Sequence, residues 1–382
     1  MPVHGVESYL SECLESILAE PAPELEVVVV DDRSPDRSGR LADQFARQDP
    51  RVRVLHLPIN VGLGRARNAG LAAARGSYLW FVDGDDWLPE GAVRAVLGRI
   101  STVRPDVLVV DHAKVSTHAT TAMAPPGVLT GPPGPLAHRP ELIFLDHSAC
   151  TKIVRRSFLD EIGLRFDRGW YEDSSYSHPL LLAAGSIDSL DQVCYCYRQR
   201  DGAGSITRSV SLRHFEVFAQ YERMWQTATR AAPATYARFR PALFRLMIDH
   251  LLVIAGNERR IPPGLRREFF RRTAGAYRRW CPPGGYPVPG GVEGIKHRLV
   301  RWRAYELYRA MRLARRLVGD VRGQSGRAVM PPGSGAGGST VEPDRAVDVG
   351  AVRQREGLPA GEVGMVGAQP PHSLGQLFLP LR

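Results

Sequence analysis

At 382 residues, 43% hydrophobic and 24% charged, the chain has room for one large domain and an appendage, with the composition of a globular protein. No stretch approaches the roughly 18 to 20 uninterrupted apolar residues of a membrane-spanning helix. The net charge of +10 is unevenly spread: from Glu258 to Arg316 there are sixteen Lys or Arg against four Glu, whereas the first hundred residues mix both signs. No nucleic-acid-binding motif accompanies this basicity, so nucleic acid is not an expected partner. The opening Met1-Pro2-Val3-His4-Gly5-Val6-Glu7 lacks the basic and apolar regions of a secretory signal, which makes the cytoplasm the expected compartment. Five scattered cysteines, Cys13, Cys150, Cys194, Cys196 and Cys281, suggest neither a disulfide framework nor a zinc site.

In chain order, Val6, Leu10, Cys13, Leu14 and Ile17 recur at helical spacing, and Glu26 to Val30 is a β-branched run ending in Asp31-Asp32. Leu41, Ala42 and Phe45 fit a second helix. The rhythm continues with Val52 to Leu57 as strand, Gly64 to Ala74 as an Ala-rich helix, Tyr78 to Val82 as strand, Pro89 to Arg99 as helix and Asp106 to Val110 as strand. Such alternation predicts an α/β fold with a mainly parallel sheet flanked by helices. Residues 115 to 140, rich in Thr, Ala, Gly and Pro, read as a loop with little core potential. Gln192 to Tyr197 is strand-like, with Cys194 and Cys196 sharing one face. From about Ser211 the pattern turns helical and Arg-rich with Pro-Gly punctuation. Beyond Gly319 too few aromatic residues remain to offset ordering entropy. The expected organisation is a catalytic domain over 1–210, a basic helical region over 211–319 and a disordered, low-complexity tail over 320–382.

Open parallel sheets bind ligands at the carboxyl ends of their strands. Two strands here end in acids, Val27-Val28-Val29-Val30-Asp31-Asp32 and Leu79-Trp80-Phe81-Val82-Asp83-Gly84-Asp85-Asp86. Three carboxylates within four positions repel one another unless a cation neutralises them. A hard divalent cation, Mn2+ or Mg2+, is the natural partner, held through one or two carboxylates and substrate phosphates. The plainer alternative is a solvated acidic turn that caps the helix beginning near Pro89. Asp31 and Asp32 could likewise end their strand and cap the helix after Pro35.

These residues resemble the family 2 glycosyltransferases of the GT-A fold. The Pro2-Val3-His4-Gly5-Val6-Glu7 opening, Asp31-Asp32-Arg33-Ser34-Pro35-Asp36, Asn60-Val61-Gly62-Leu63-Gly64-Arg65-Ala66-Arg67-Asn68 and Phe81-Val82-Asp83-Gly84-Asp85-Asp86-Trp87 follow that family's motifs in order, and the resemblance extends less strictly through Thr207. It implies a nucleotide-sugar donor with Pro2 and Val3 at the edge of its site, Asp31 and Asp32 at the nucleoside, Asp83 approaching the ribose, and Asp85 as metal ligand with Asp86 as a possible helper. Arg67 would contact donor phosphate or brace the acidic loop. Trp170-Tyr171-Glu172-Asp173 matches the family's acidic motif, in which a carboxylate deprotonates the acceptor hydroxyl; Asp173 is the expected base and Glu172 the alternative. Arg198 and Arg200 suit diphosphate binding, unless they form a solvated strand end. Lys152 would line the acceptor cleft.

Within the family, the chain looks like the glycosyltransferase half of bacterial bifunctional glycosyl/glycerophosphotransferases for teichoic-acid-type polymers. That implies an inverting transfer to a glycan or lipid-linked hydroxyl in cell-wall or surface-polysaccharide synthesis. One departure stands out: family members open with a full apolar strand before Pro2-Val3, so the first strand is expected to be missing or reduced to two or three residues. The alternative reading is therefore a truncated or degenerate nucleotide-binding or interaction module. Trp302, Tyr305, Leu307, Tyr308, Met311 and Leu313 interleave with arginines, which suits either an anionic membrane surface at the inner face of the cell membrane or a solvated face on a packing helix.

Overall fold

A computed structural model of the chain describes residues 1–116, 119–200 and 209–325. The tail beyond 325 and the Gly204-Ser205-Ile206-Thr207 segment lie outside the described residues. The first strand is short: β1 (Pro2–Val3) pairs in parallel with β2 (Val27–Asp31), with Pro2 opposite Val30 and Val3 opposite Asp31. Strand β2 pairs in parallel with β3 (Val52–His56). All five residues of β2 are buried, as an apolar strand covered on both faces must be. Helices α1 (Leu10–Leu18), α2 (Ser38–Gln48) and α3 (Leu63–Ala73) connect and cover this parallel sheet.

A second sheet is mixed. β4 (Tyr78–Trp80) and β5 (Val107–Val115) each run antiparallel to β7 (Lys152–Arg155), β6 (Thr120–Ala122) pairs antiparallel with β5, and β8 (Ile187–Arg198) pairs parallel with β5. Parallel pairing therefore prevails in the β1–β2–β3 sheet and not throughout. Among the described residues no ladder joins the two sheets. The gap is closed by packing: a Cβ on Gly84 would stand 3.1 Å from Val3 Cγ2 and 3.3 Å from the Pro2 carbonyl oxygen. Glycine lets the acidic turn after β4 approach β1 that closely.

The loop over 115–140 does more than the composition suggests, since Leu129 and Leu136 are fully buried. The helical region is not a separate body either. Helix α6 (Glu172–Ala183) is followed, after β8, by α7 (Glu216–Ala231), α8 (Pro233–Gly256), α9 (Arg266–Trp280), α10 (Gly291–Arg301) and α11 (Tyr305–Ser325); α4 (Ala92–Val103) and α5 (Arg156–Glu161) precede them. The main hydrophobic core runs from Val3 through Phe81 and Tyr176 to Trp225, Phe270 and Tyr308, beside a small second cluster of Val28, Val30 and Ala66. Ser175 of α6 donates to Gln220 of α7 at 2.9 Å inside it. Helix α11 continues to Ser325, past the boundary at Gly319 expected from composition. Among the described residues no helix is long and apolar enough to cross a membrane.

Candidate active site

Strand ends and helix starts from three separate motifs meet at Arg67. Its helix, α3, begins against the segment that leads into α6: a Cβ on Gly64 would lie 2.3 Å from the Asp167 carbonyl oxygen, so only glycine fits that approach. Arg67, one turn later, is buried to 2% exposure. Its Nη1 donates to Glu172 Oε1 at 2.9 Å and Asp173 Oδ1 at 2.7 Å, and its Nη2 to both oxygens of Asp83 at 2.9 and 3.1 Å. The guanidinium also lies 5.2 Å from the Phe166 ring centroid. Burial disfavours its charge, but Asp173 and Asp83 outweigh burial and keep it firmly protonated. Of the two roles open to Arg67, the geometry is that of a brace across the acidic groups.

The two members of the acidic pair at the start of α6 differ in kind. Glu172 has a side chain only 6% exposed, whereas Asp173 keeps 22%. Burial, then the neighbouring Asp173, pushes the Glu172 carboxyl up to about 8, so it holds a proton at neutral pH. Asp173 is the more solvent-accessible carboxylate of the pair.

The acidic turn after β4 is clamped by the end of β8. Trp87 and Cys196 exchange backbone hydrogen bonds at 3.3 and 2.9 Å. The Tyr195 hydroxyl donates to Asp86 Oδ2 at 2.5 Å and accepts from the Asp83 amide at 3.2 Å. The Arg198 amide donates to Asp86 Oδ1 at 2.8 Å. Both oxygens of Asp86 are thus engaged inside the protein and the residue is 1% exposed. In this arrangement Asp86 holds the turn's shape. Burial, then Asp85 and Asp83, pushes its carboxyl well up.

Asp85 remains the accessible acid of the turn beside Asp83. Burial, then Asp83, pushes its carboxyl up against the opposing Arg200, whose Nη2 is hydrogen-bonded to Asp85 Oδ2. Arg198 donates from Nε to the Asp85 carbonyl oxygen at 2.8 Å and from Nη2 to Glu12 at 2.6 Å, and its guanidinium lies 4.4 Å from the Trp87 ring centroid. A cationic group therefore already sits on Asp85, and the hard oxygen donors there fit Mn2+ or Mg2+. Among the described residues no three His, Cys, Asp or Glu side chains form a ready-made metal cage. Binding through one carboxylate and substrate phosphates requires none.

At the end of β2, Asp31 accepts from the Ser34 amide at 2.9 Å and pairs with His56 Nδ1 at 3.0 Å. Asp32 accepts from the Val61 and Gly62 amides at 2.6 and 2.8 Å, which fixes the loop ahead of α3. Pro2 and Val3 are buried alongside. Lys152 opens β7, within electrostatic reach of Asp173. It is 1% exposed, and its ammonium donates to the Asp146 and Ser148 carbonyls and to Thr151 Oγ1. Burial lowers it to about 8, and it pins the 146–151 turn. Sequence reasoning missed Tyr195, Trp87 and Tyr9, the last lying 4.7 Å from Arg200 over its ring. The aromatic-rich Cys194-Tyr195-Cys196-Tyr197 run ahead of Arg198 was the available signal.

A parallel sheet whose strand ends converge, through one buried arginine, on a second acidic motif is the arrangement of the GT-A fold. Residues 1–163 match the family model described as Glycosyl transferase family 2. The chain is 32% identical over 207 residues to the uncharacterized glycosyltransferase EpsJ of Bacillus subtilis (strain 168), covering 52% of this chain and 60% of that protein. It is also 32% identical over 214 residues to the succinoglycan biosynthesis protein ExoO of Rhizobium meliloti (strain 1021), covering 53% and 60%. The chain thus spans about 60% of the length of these relatives. The fold is shared with S. aureus TarS 1-349 in complex with UDP, at a TM-score of 0.60 and 20% identity over 83% of this chain and 90% of that one.

Proposed function

We infer that the protein is an inverting glycosyltransferase that moves a sugar from a nucleoside-diphosphate donor to a hydroxyl of a glycan or lipid-linked acceptor in cell-wall or surface-polysaccharide synthesis. The observation that carries this reading is the joint grip of Arg67 on Asp83 and Asp173, which sets the donor-side carboxylate and a solvent-accessible base on opposite arms of one guanidinium. In-line displacement at an anomeric carbon needs that layout: a base on one face and a stabilised leaving group on the other.

Asp173 takes the acceptor proton while Glu172, neutral and buried, holds the geometry. Asp83, Asp31 and Asp32, with Pro2 and Val3, form the donor's nucleoside side. Arg198 and Arg200 meet the departing diphosphate. Asp85 would hold Mn2+ or Mg2+, which supplies charge neutralisation of the leaving diphosphate when bound. The names of ExoO and of the UDP-bound TarS structure support a polysaccharide product and a uridine-type donor. The reaction is placed on the cytoplasmic side, at the inner face of the cell membrane where lipid-linked acceptors reside.

Donor hydrolysis and transfer across common nucleotide sugars with Mn2+ test the reading, comparing wild type with Asp173→Asn and Asp85→Ala. Each variant should lose at least about a hundredfold in kcat, the scale of a general base or a charge-stabilising group. Wild type without turnover on any donor would favour the alternative, a non-catalytic nucleotide-binding module.

A further inference from the structure

Helices α10 and α11 carry a surface that the proposed reaction does not use. Val292, Ile295 and Leu299 of α10 and Trp302 at its C-terminal cap recur at the spacing that places residues on one helical face. Leu299 is covered, but Val292, Ile295 and Trp302 are exposed, Trp302 to 66%. The chain then turns through Arg303, which takes a left-handed backbone conformation (φ 56°), and α11 exposes Leu307 to 63%. The core-facing sides of both helices lie elsewhere. His297 and Val300 of α10 and Tyr308 of α11 point inward, and Tyr308 packs 4.9 Å from Phe270 between ring centroids. The exposed apolar groups are therefore additional to the core contact.

Their neighbours are cations without counter-ions. Arg298, Arg301, Arg303 and Arg315 are exposed, and among the described residues none of the four forms an ion pair, in contrast to Arg309, which lies 3.7 Å from Glu306. An exposed indole and aliphatic stripe rimmed by unpaired guanidiniums matches the interface of an anionic bilayer. There the apolar face enters the headgroup boundary and each arginine meets negative surface potential. Two rival occupants fit the charge less well. Residues 326–382 carry five Arg against five Asp or Glu and so offer no net counter-charge. A second copy docked face to face would set this arginine rim against itself.

We propose that the α10–α11 face docks the protein on an anionic phospholipid surface, with Trp302 and Leu307 entering the headgroup region and Arg298, Arg301 and Arg303 meeting lipid phosphates. This deepens the membrane placement given above by naming the surface that makes it, and it depends on none of the catalytic assignments.

The test is co-sedimentation of the full chain with phosphatidylcholine vesicles, with and without about 30% phosphatidylglycerol, at about 0.1 M and 0.5 M NaCl. Binding is expected only to the anionic vesicles at low salt. The Arg298→Glu/Arg301→Glu/Arg303→Glu variant and, separately, Trp302→Ser/Leu307→Ser should each weaken it at least about tenfold. Both variants should keep the wild-type circular dichroism spectrum and donor turnover, so that loss of docking is read apart from loss of fold or of the catalytic reading. Equal binding to neutral vesicles, no binding at low salt, or variants that bind like wild type would overturn the proposal. So would a wild-type dimer in light scattering that Trp302→Ser/Leu307→Ser dissolves, because the face would then belong to a second copy.

Discussion

Replacing Arg67 by Met removes a buried cation from between three acids while keeping most of the side-chain volume. Four hydrogen bonds of 2.7 to 3.1 Å disappear with it, and Asp83 and Asp173 are left facing each other without a counter-charge. Breaking a buried ion pair from one side costs about 3–5 kcal/mol. Here Asp83 and Asp173 retain 24% and 22% side-chain exposure, so water relieves part of the loss and the lower end of that range applies. The lost contact with Phe166, 5.2 Å from the guanidinium, adds about 0.5–1 kcal/mol. Urea unfolding with linear extrapolation should therefore show Arg67→Met less stable by about 3–4 kcal/mol. Arg67→Lys should lose about half of that, since one ammonium cannot span both arms of the fork. An Arg67→Met protein within about 1 kcal/mol of wild type would refute the idea that this arginine joins the motifs.

Glu172→Gln tests the protonated acid. A carboxyl raised from 4.5 to about 8 in the folded state contributes stability that is fully present below pH 4.5 and is lost as pH rises towards 8. Melting temperatures across that window should fall more steeply for wild type than for Glu172→Gln, and parallel curves would remove the assignment. Asp32→Ala deprives the Val61 and Gly62 amides of a charged acceptor. A loss of about 2 kcal/mol is expected in urea unfolding, with weaker nucleotide binding as the loop before α3 loosens; unchanged stability would mean that water replaces the carboxylate.

The strand ends were legible in the sequence because an apolar β-branched run that stops at an acid has few other readings, and β2 and β4 start within a residue of the expected positions. Partnership was less legible. Arg67 and Glu172 are 105 residues apart, and no spacing rule relates a helix interior to the start of another helix on the far side of a cleft. The burial of β8 was less legible for a local reason. Alternation predicts one buried face, but Cys194, Tyr195 and Cys196 are all buried because the strand is covered on both sides and its register with β5 shifts around Asp111; each extra residue in a ladder breaks the period of two. Lys152 shows the opposite limit. A lysine near a cleft in sequence is ambiguous until its ammonium is seen bonded to the Asp146 and Ser148 carbonyls.

The charges of the site bear on what the donor must bring with it. Asp83, Asp85, Asp86, Glu172 and Asp173 surround Arg67, Arg198 and Arg200, and Glu12 joins the rim through Arg198. Burial pushes the carboxyls of Glu172 and Asp86 up. Even with these two set aside, Asp83, Asp85, Asp173 and Glu12 face the three guanidiniums, which leave no positive excess with which to receive a diphosphate. A diphosphate entering alone would add negative charge to a net negative cluster, whereas one carrying a divalent cation adds almost none. Titration of UDP into the protein by calorimetry should accordingly be at least about tenfold weaker in EDTA than with Mn2+, equivalent to about 1.4 kcal/mol. Asp85→Ala should erase most of that difference by weakening the Mn2+ arm. If UDP bound equally well in EDTA, Arg198 and Arg200 would have to leave Glu12 and Asp85 for the phosphates, and the assignment of Asp85 as the cation's ligand would fall.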